Sequence, residues 1–348
     1  MTTLNRTTPR ILVALFVLFG PSLSWPVPSY SMRHPHHQAA QRPKRPGIPA
    51  VQVPLSSLAI RAGISVPGGP DWLAAAFGSM WVSNSPRNSV SRIDPASNRV
   101  LATISVGQDP CLGIGVGLGS VWIPNCKDKT LSRIDPRTNK VVRTFPINID
   151  GEGEGAIATG YHSIWLLTND AGTDSGTLSR IDPLTGKTVA MIPVCPKSNV
   201  AVTGYGAVWV TGTGCNTVFR IDPRANVVDA RIPVGPTPRF TAAGGNGVWV
   251  LNQGDGTVSR IDPRTNKVVA TIEVGVPGAG GDIAVGAHSI WVSADGLPVS
   301  EINPRSNKVV RQYAGGGGAD AIRIGFGSAW VSDHRKGEVW RIGIPRKR

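Results

Sequence analysis

Gly247-Val-Trp-Val-Leu-Asn252, Gly256-Thr-Val-Ser-Arg-Ile-Asp262, Pro263-Arg-Thr-Asn-Lys267 and Val268-Val-Ala-Thr-Ile-Glu-Val-Gly275 follow one another in the second half of a 348-residue chain. Short β-branched and aromatic runs alternate with clusters of Gly, Asn and Asp. No helical period interrupts them, so the stretch reads as strands joined by tight turns. The Asp-Pro-x-Thr-Asn-Lys turn has a mechanism of its own: Pro presets φ for the second turn position, and the Asp carboxylate can accept from the turn amides. Its fifth place is Asn98, Asn139, Gly186, Asn226, Asn266 or Asn307 in successive copies, residue types that tolerate a positive φ.

Those copies decide the architecture. Trp81, Trp122, Trp165, Trp209, Trp249, Trp291 and Trp330 mark seven strands spaced by roughly 40 residues, the blade length of a β-propeller. Each Trp strand is followed by an Ile-Asp-Pro phrase or its variant, Ile302-Asn303-Pro304 in the sixth unit and Ile342-Gly343 in the seventh. Each unit makes four strands, and the innermost ones, such as Leu112-Gly-Ile-Gly-Val-Gly117 and Ala201-Val-Thr203, are small enough for the crowded axis. The tryptophans then fill the space between blades as core. The last unit stops after Val339-Trp-Arg-Ile342, and Ile60-Arg-Ala-Gly-Ile-Ser-Val66 reads as its missing fourth strand. The expected fold is all-β, a seven-bladed propeller of four-stranded antiparallel blades over residues 58–343, closed by an N-terminal strand that removes the open edges.

Outside the repeat, Arg6 and Arg10 precede the apolar run Ile11–Phe19, and Ser22 and Ser24 follow it, the pattern of a cleaved secretory signal over residues 1–24. Residues 25–57 are rich in Pro, His, Arg and Gln without an acidic residue and read as a disordered basic linker; His34, His36 and His37 belong to this solvated tract. Residues 344–348 form a basic tail. An exported, periplasmic or secreted monomer without a membrane span is expected. Cys111 and Cys126, and Cys195 and Cys215, flank the first two strands of blades two and four, where antiparallel neighbours bring each pair together. Two disulfides are therefore expected, in keeping with an oxidising compartment, and neither pair has zinc-finger spacing.

The phrase Val-Ser-Arg-Ile-Asp-Pro-x-Thr-Asn-Lys-Val-Val-Ala-Thr-Ile-x-Val-Gly resembles the YVTN repeat of YncE-like bacterial propellers, in all seven units. More loosely, the chain is similar to virginiamycin B lyase, a seven-bladed, magnesium-dependent family that opens a cyclic depsipeptide by elimination through histidine and glutamate. The sixth unit reads Trp291-Val-Ser-Ala-Asp-Gly-Leu-Pro298 and has no counterpart to that family's closely spaced histidine and glutamate.

Net charge is +14. The Asp-Pro turns emerge on one face with Arg99, Arg137, Lys140, Arg264, Lys267 and their counterparts. No aromatics are interleaved among them, so solvated turns are expected rather than a nucleic-acid surface. The opposite face is acidic on balance. At the channel mouth there, the starts of the inner strands bring Asp71, Glu154, Asn199, Arg239, Asp282 and Asp320, and the ends of the Trp strands bring Asn84, Asn125, Asn252 and Asp333. These are the candidate ligand residues. Asp71, Asp320, Asp333 and His334 are the candidate set for a divalent cation, magnesium or calcium, and His334 is the one candidate acid or base on that side. The expected function is an exported binding propeller that meets a small ligand, a cell-envelope polymer or a protein at this mouth. The alternative is a metal-dependent lyase or hydrolase of a cyclic ester.

Overall fold

The computed structural model describes residues 47–149, 155–169, 176–275, 278, 281–294, 297–315 and 319–344. The leader, most of the basic linker, the loop after Asn169 and the tail 345–348 lie outside them. Seven antiparallel sheets are strung along the chain in order. The first comprises Pro70–Ala76, Ser79–Asn84, Ser89–Asp94 and Arg99–Ser105, running from the axis outwards, and the same order repeats through blade six. In blade seven, Ala319–Gly325, Ser328–Asp333 and Glu338–Gly343 are completed by Ile60–Ser65, with Ile64 opposite Val339. The ring closes as the repeat requires.

Every strand Trp is held the same way. Each indole Nε1 donates to the carbonyl five residues before it, from Trp81 to Ala76 at 3.1 Å through Trp330 to Gly325 at 3.0 Å. The ring is thereby buried without leaving its one polar atom unpaired.

Four outer turns are latched to the preceding blade by the arginine of the Ser-Arg-Ile or equivalent phrase. Arg92 stacks on Trp81 at 5.1 Å, receives support from Ser79 Oγ at 2.8 Å, and donates to Pro136 O and to Asn139 Oδ1 of blade two. Arg180, Arg260 and Arg341 repeat this toward Asn226, Asn307 and Asn98. The turn asparagines indeed lie in the left-handed region, Asn139 at φ 57°, and so serve twice, as hinge and as acceptor. The exceptions are informative. Arg220 turns to Asp229 on its own blade and leaves Asn266 Oδ1 without a partner. In the sixth unit the position is Glu301, and the next blade has no such turn to grip, because the termini meet there.

Order begins earlier than residue 58. Gln52–Pro54 adds a fifth strand to blade six, parallel to Lys308–Ala314, with Gln52 opposite Gln312. Gln312 is fully buried and joins three segments: its Oε1 accepts from Ile48 N at 2.7 Å, and its Nε2 donates to Val274 O at 2.9 Å and Ser300 Oγ at 3.2 Å. Ile48, Val51, Val53, Leu55 and Leu58 pack on the ring beside it. Residues 47–57, expected within the disordered linker, are thus placed on the ring: their apolar side chains are spaced through a tract whose Pro-rich average composition masks them.

Candidate functional site

The inner strands are small as expected except at two equivalent positions. Trp72 and Phe240 follow Pro70-Asp71 and Pro238-Arg239 at the starts of the inner strands of blades one and five. Those blades are not neighbours, yet the two rings meet at 6.0 Å between centroids. Trp72 also reaches blade three, where a Cβ on Gly155 would sit 3.5 Å from its ring. Gly155 has φ 69°, a backbone conformation that favours glycine, and a Cβ there would also press on Val200 at 3.1 Å. Trp72, Phe240 and Val200 are buried together, so the channel is floored by an apolar plug just below the mouth.

Above this floor lie four of the candidate polar residues. The Arg239 guanidinium covers the Phe240 ring at 5.4 Å. Asp71 lies beside Asp320, within reach of its carboxyl. Burial pushes Asp320 above the ordinary aspartate value. The positive charge of His334, the bond from Asp71 and the Arg239 charge pull it partly back. His334 is roofed by the connection between blades seven and one, where a Cβ at Gly69 would come within 3.0 Å of the imidazole. Two adjacent carboxyls, a histidine and an arginine are thus gathered beside an aromatic floor.

The other expected ligand residues are used by the fold. Asn84, Asn125 and Asn252 are fully buried, and each Nδ2 holds its own hairpin, for example Asn252 to Thr257 Oγ1 and Ser259 Oγ, both at 2.9 Å. Asp333 is buried as well and accepts from Lys336 N at 3.0 Å. These four end the Trp strands, and Asn84 Oδ1, Asn125 Oδ1, Asn252 Oδ1 and Asp333 Oδ2 are buried there without a hydrogen-bond partner among the described residues. Asn199 donates to Lys197 O and Thr213 Oγ1. Asp282 ties blade six to blade seven through Ile322 N at 3.1 Å and the Arg323 guanidinium, and burial raises its pKa despite that partner. Glu154 lies outside the described residues.

The cation set fares differently from the carboxyl pair. Asp333 is engaged in its own turn through Lys336 N. Among the described residues, the one group of three metal-capable side chains within 4.8 Å of one another is Asp109 with Cys111 and Cys126. Both of those thiols are consumed in a disulfide, and Cys195 and Cys215 form the second. No helix among the described residues is long and apolar enough to cross a membrane.

No family model matches this chain, and no curated protein does. Among solved structures, the virginiamycin B lyase of Staphylococcus aureus superimposes with a TM-score of 0.68 at 15% identity, over 82% of this chain and 99% of that one. A streptogramin B lyase gives 0.65 at 17% identity, over 82% and 97%. The Cps50 (Swd1) β-propeller domain of Myceliophteria thermophila also gives 0.65, at 10% identity, over 83% and 100%. At such identities the likeness is one of fold, and function has to be argued from the site.

Proposed function

We propose that this chain is an exported small-molecule-binding propeller whose site is the cup above the Trp72–Phe240 floor. The observation that carries the reading is the Asp71–Asp320 pair. Burying a carboxyl beside a second one costs stability, and a carboxyl pair flanked by His334 and Arg239 offers donors and acceptors to a polar ligand. Export is supported by the leader pattern and by the two disulfides.

A second reading draws on the same pair. Two adjacent carboxyls, one of them raised by burial, beside a histidine are the residue types of an acid and base set, and two of the fold's neighbours are named as lyases of virginiamycin B and streptogramin B. It would have the mouth open a cyclic ester, with a magnesium or calcium ion as a separate requirement.

Both are tested by a thermal-shift screen of small polar molecules, cyclic depsipeptides and lactones, with magnesium, calcium or chelator, on the wild type and on Asp71→Asn/Asp320→Asn. Binding predicts hits that vanish in the double variant. Hits that persist there, or none in the wild type, would sink the mouth as the site; a mass change of a depsipeptide on incubation would favour the second reading.

A further inference from the structure

The face opposite the mouth has aromatics after all. Arg92 donates both to Phe77 O, in an inner turn of its own blade, and to Pro136 O, in an outer turn of the next, so the two sets of turns share that face. Each inner turn connects the first two strands of a blade. Phe77, Tyr205 and Phe326 open three of them at φ 51°, 52° and 52°, followed by Gly78, Gly206 and Gly327, also at positive φ. A two-residue turn of this kind favours Asn, Asp or Gly in its first place, and a bulky side chain is disfavoured in the left-handed region. These three are nonetheless 39%, 42% and 38% exposed, and Phe77 and Phe326 belong to no apolar cluster among the described residues. They stand on adjacent blades, one and seven. Local backbone strain and an exposed ring both work against stability, so the pair is explained by what it presents.

Charge supplies the rest. Arg99, Lys140 and Lys267 are exposed on the outer turns of the same face. The turn acids, such as Asp94, whose carboxyl is held below the ordinary range by Ser97 Oγ and by the amides of Ala96 and Ser97, are outnumbered there by the Arg and Lys side chains of the same turns. The outward field is cationic around exposed phenyl rings. We propose that this second face docks an anionic polysaccharide, with Phe77 and Phe326 lying against sugar rings and the Arg and Lys side chains meeting carboxylates or phosphates. A single-stranded nucleic acid is disfavoured because its binders line a groove with successive stacking rings, whereas these rings stand apart on turn tips.

The test is binding of polygalacturonate by the full chain, read by affinity electrophoresis and calorimetry, with amylose as the neutral polymer and a mixed-sequence DNA oligonucleotide as the other polyanion. Phe77→Asn/Phe326→Asn is the decisive variant, since Asn suits the left-handed turn and the melting temperature should hold or rise. The proposal expects a roughly tenfold loss of polygalacturonate affinity in that variant. It also expects a reduced salt dependence in Lys140→Glu/Lys267→Glu, and no change in Asp71→Asn/Asp320→Asn. Absence of wild-type binding, unchanged affinity in the Phe variant, equal binding of amylose, tighter binding of DNA, or loss in the mouth variant would each overturn it.

Discussion

The Trp72 ring lies 6.0 Å from that of Phe240 and is tilted 46° to it, although their inner strands belong to blades one and five. A contact across the axis does what the blade-to-blade contacts cannot: it fixes the separation of sectors that share no edge. It also converts a channel into a cup with a floor, on which Arg239 rests.

Trp72→Ala should therefore cost about 3 to 5 kcal/mol of unfolding free energy, as for a large buried aromatic whose cavity cannot collapse. Denaturant unfolding measures it. A loss below about 1 kcal/mol would mean that the ring is incidental to the fold.

The arginine latch predicts a contrast between two turns of the same sequence. Asn139→Gly keeps the positive φ but deletes the acceptor of Arg92, and should cost about 1 kcal/mol. Asn266→Gly should cost nothing measurable, since Arg220 is engaged with Asp229 and Asn266 Oδ1 has no partner. Equal losses at both positions, in paired chemical-denaturation curves, would refute the latch.

What was legible in the sequence is what the repeat states seven times. Blade number, closure by Ile60–Ser65, the left-handed turn residues and both disulfide pairings all follow from local pattern plus period. The site was less legible, because a repeat reports positions and not directions. Asn84, Asn125, Asn252 and Asp333 occupy the expected end of their strands, yet all four are buried and the three Asn Nδ2 groups are held within their own hairpins. Conversely, Trp72 and Phe240 were detectable as the large aromatics in a series of small residues, but only the structure shows that they meet. The aromatic rim was missed because Phe77 and Phe326 lie far in sequence from the basic turns that they neighbour in space.

Blade four shows how a disulfide can replace a hairpin clamp. Gly212 stands where blades one, two and five have Asn, and a Cβ there would lie 2.5 Å from Cys195 Sγ and 2.8 Å from Cys215 Sγ. Cys215 is exposed while Cys126 is buried, so graded reduction should open the blade-four bridge first. Each bridge should contribute about 3 kcal/mol. Peptide mapping with differential alkylation reads the order, and the reverse order, or any crossed pairing, contradicts the assignment.

The claim on which the functional account rests is that Asp320, beside Asp71, is a carboxyl whose proton is held more tightly through burial. Because burial raises Asp320 above 3.8, the folded chain holds that proton more tightly than the unfolded one. The stability gained is complete below 3.8 and is lost as the pH rises through the raised folded value. Asp320→Asn should thus melt higher than the wild type at neutral pH and lose that advantage in acid. The direct measurement is the side-chain carboxyl titration of Asp320 by carbon NMR, assigned with the Asn variant and repeated in Asp71→Asn. The account predicts a midpoint above 3.8 that moves when Asp71 is replaced. A midpoint at or below that value and indifferent to Asp71 would show an ordinary solvated loop, and the mouth would no longer be the site.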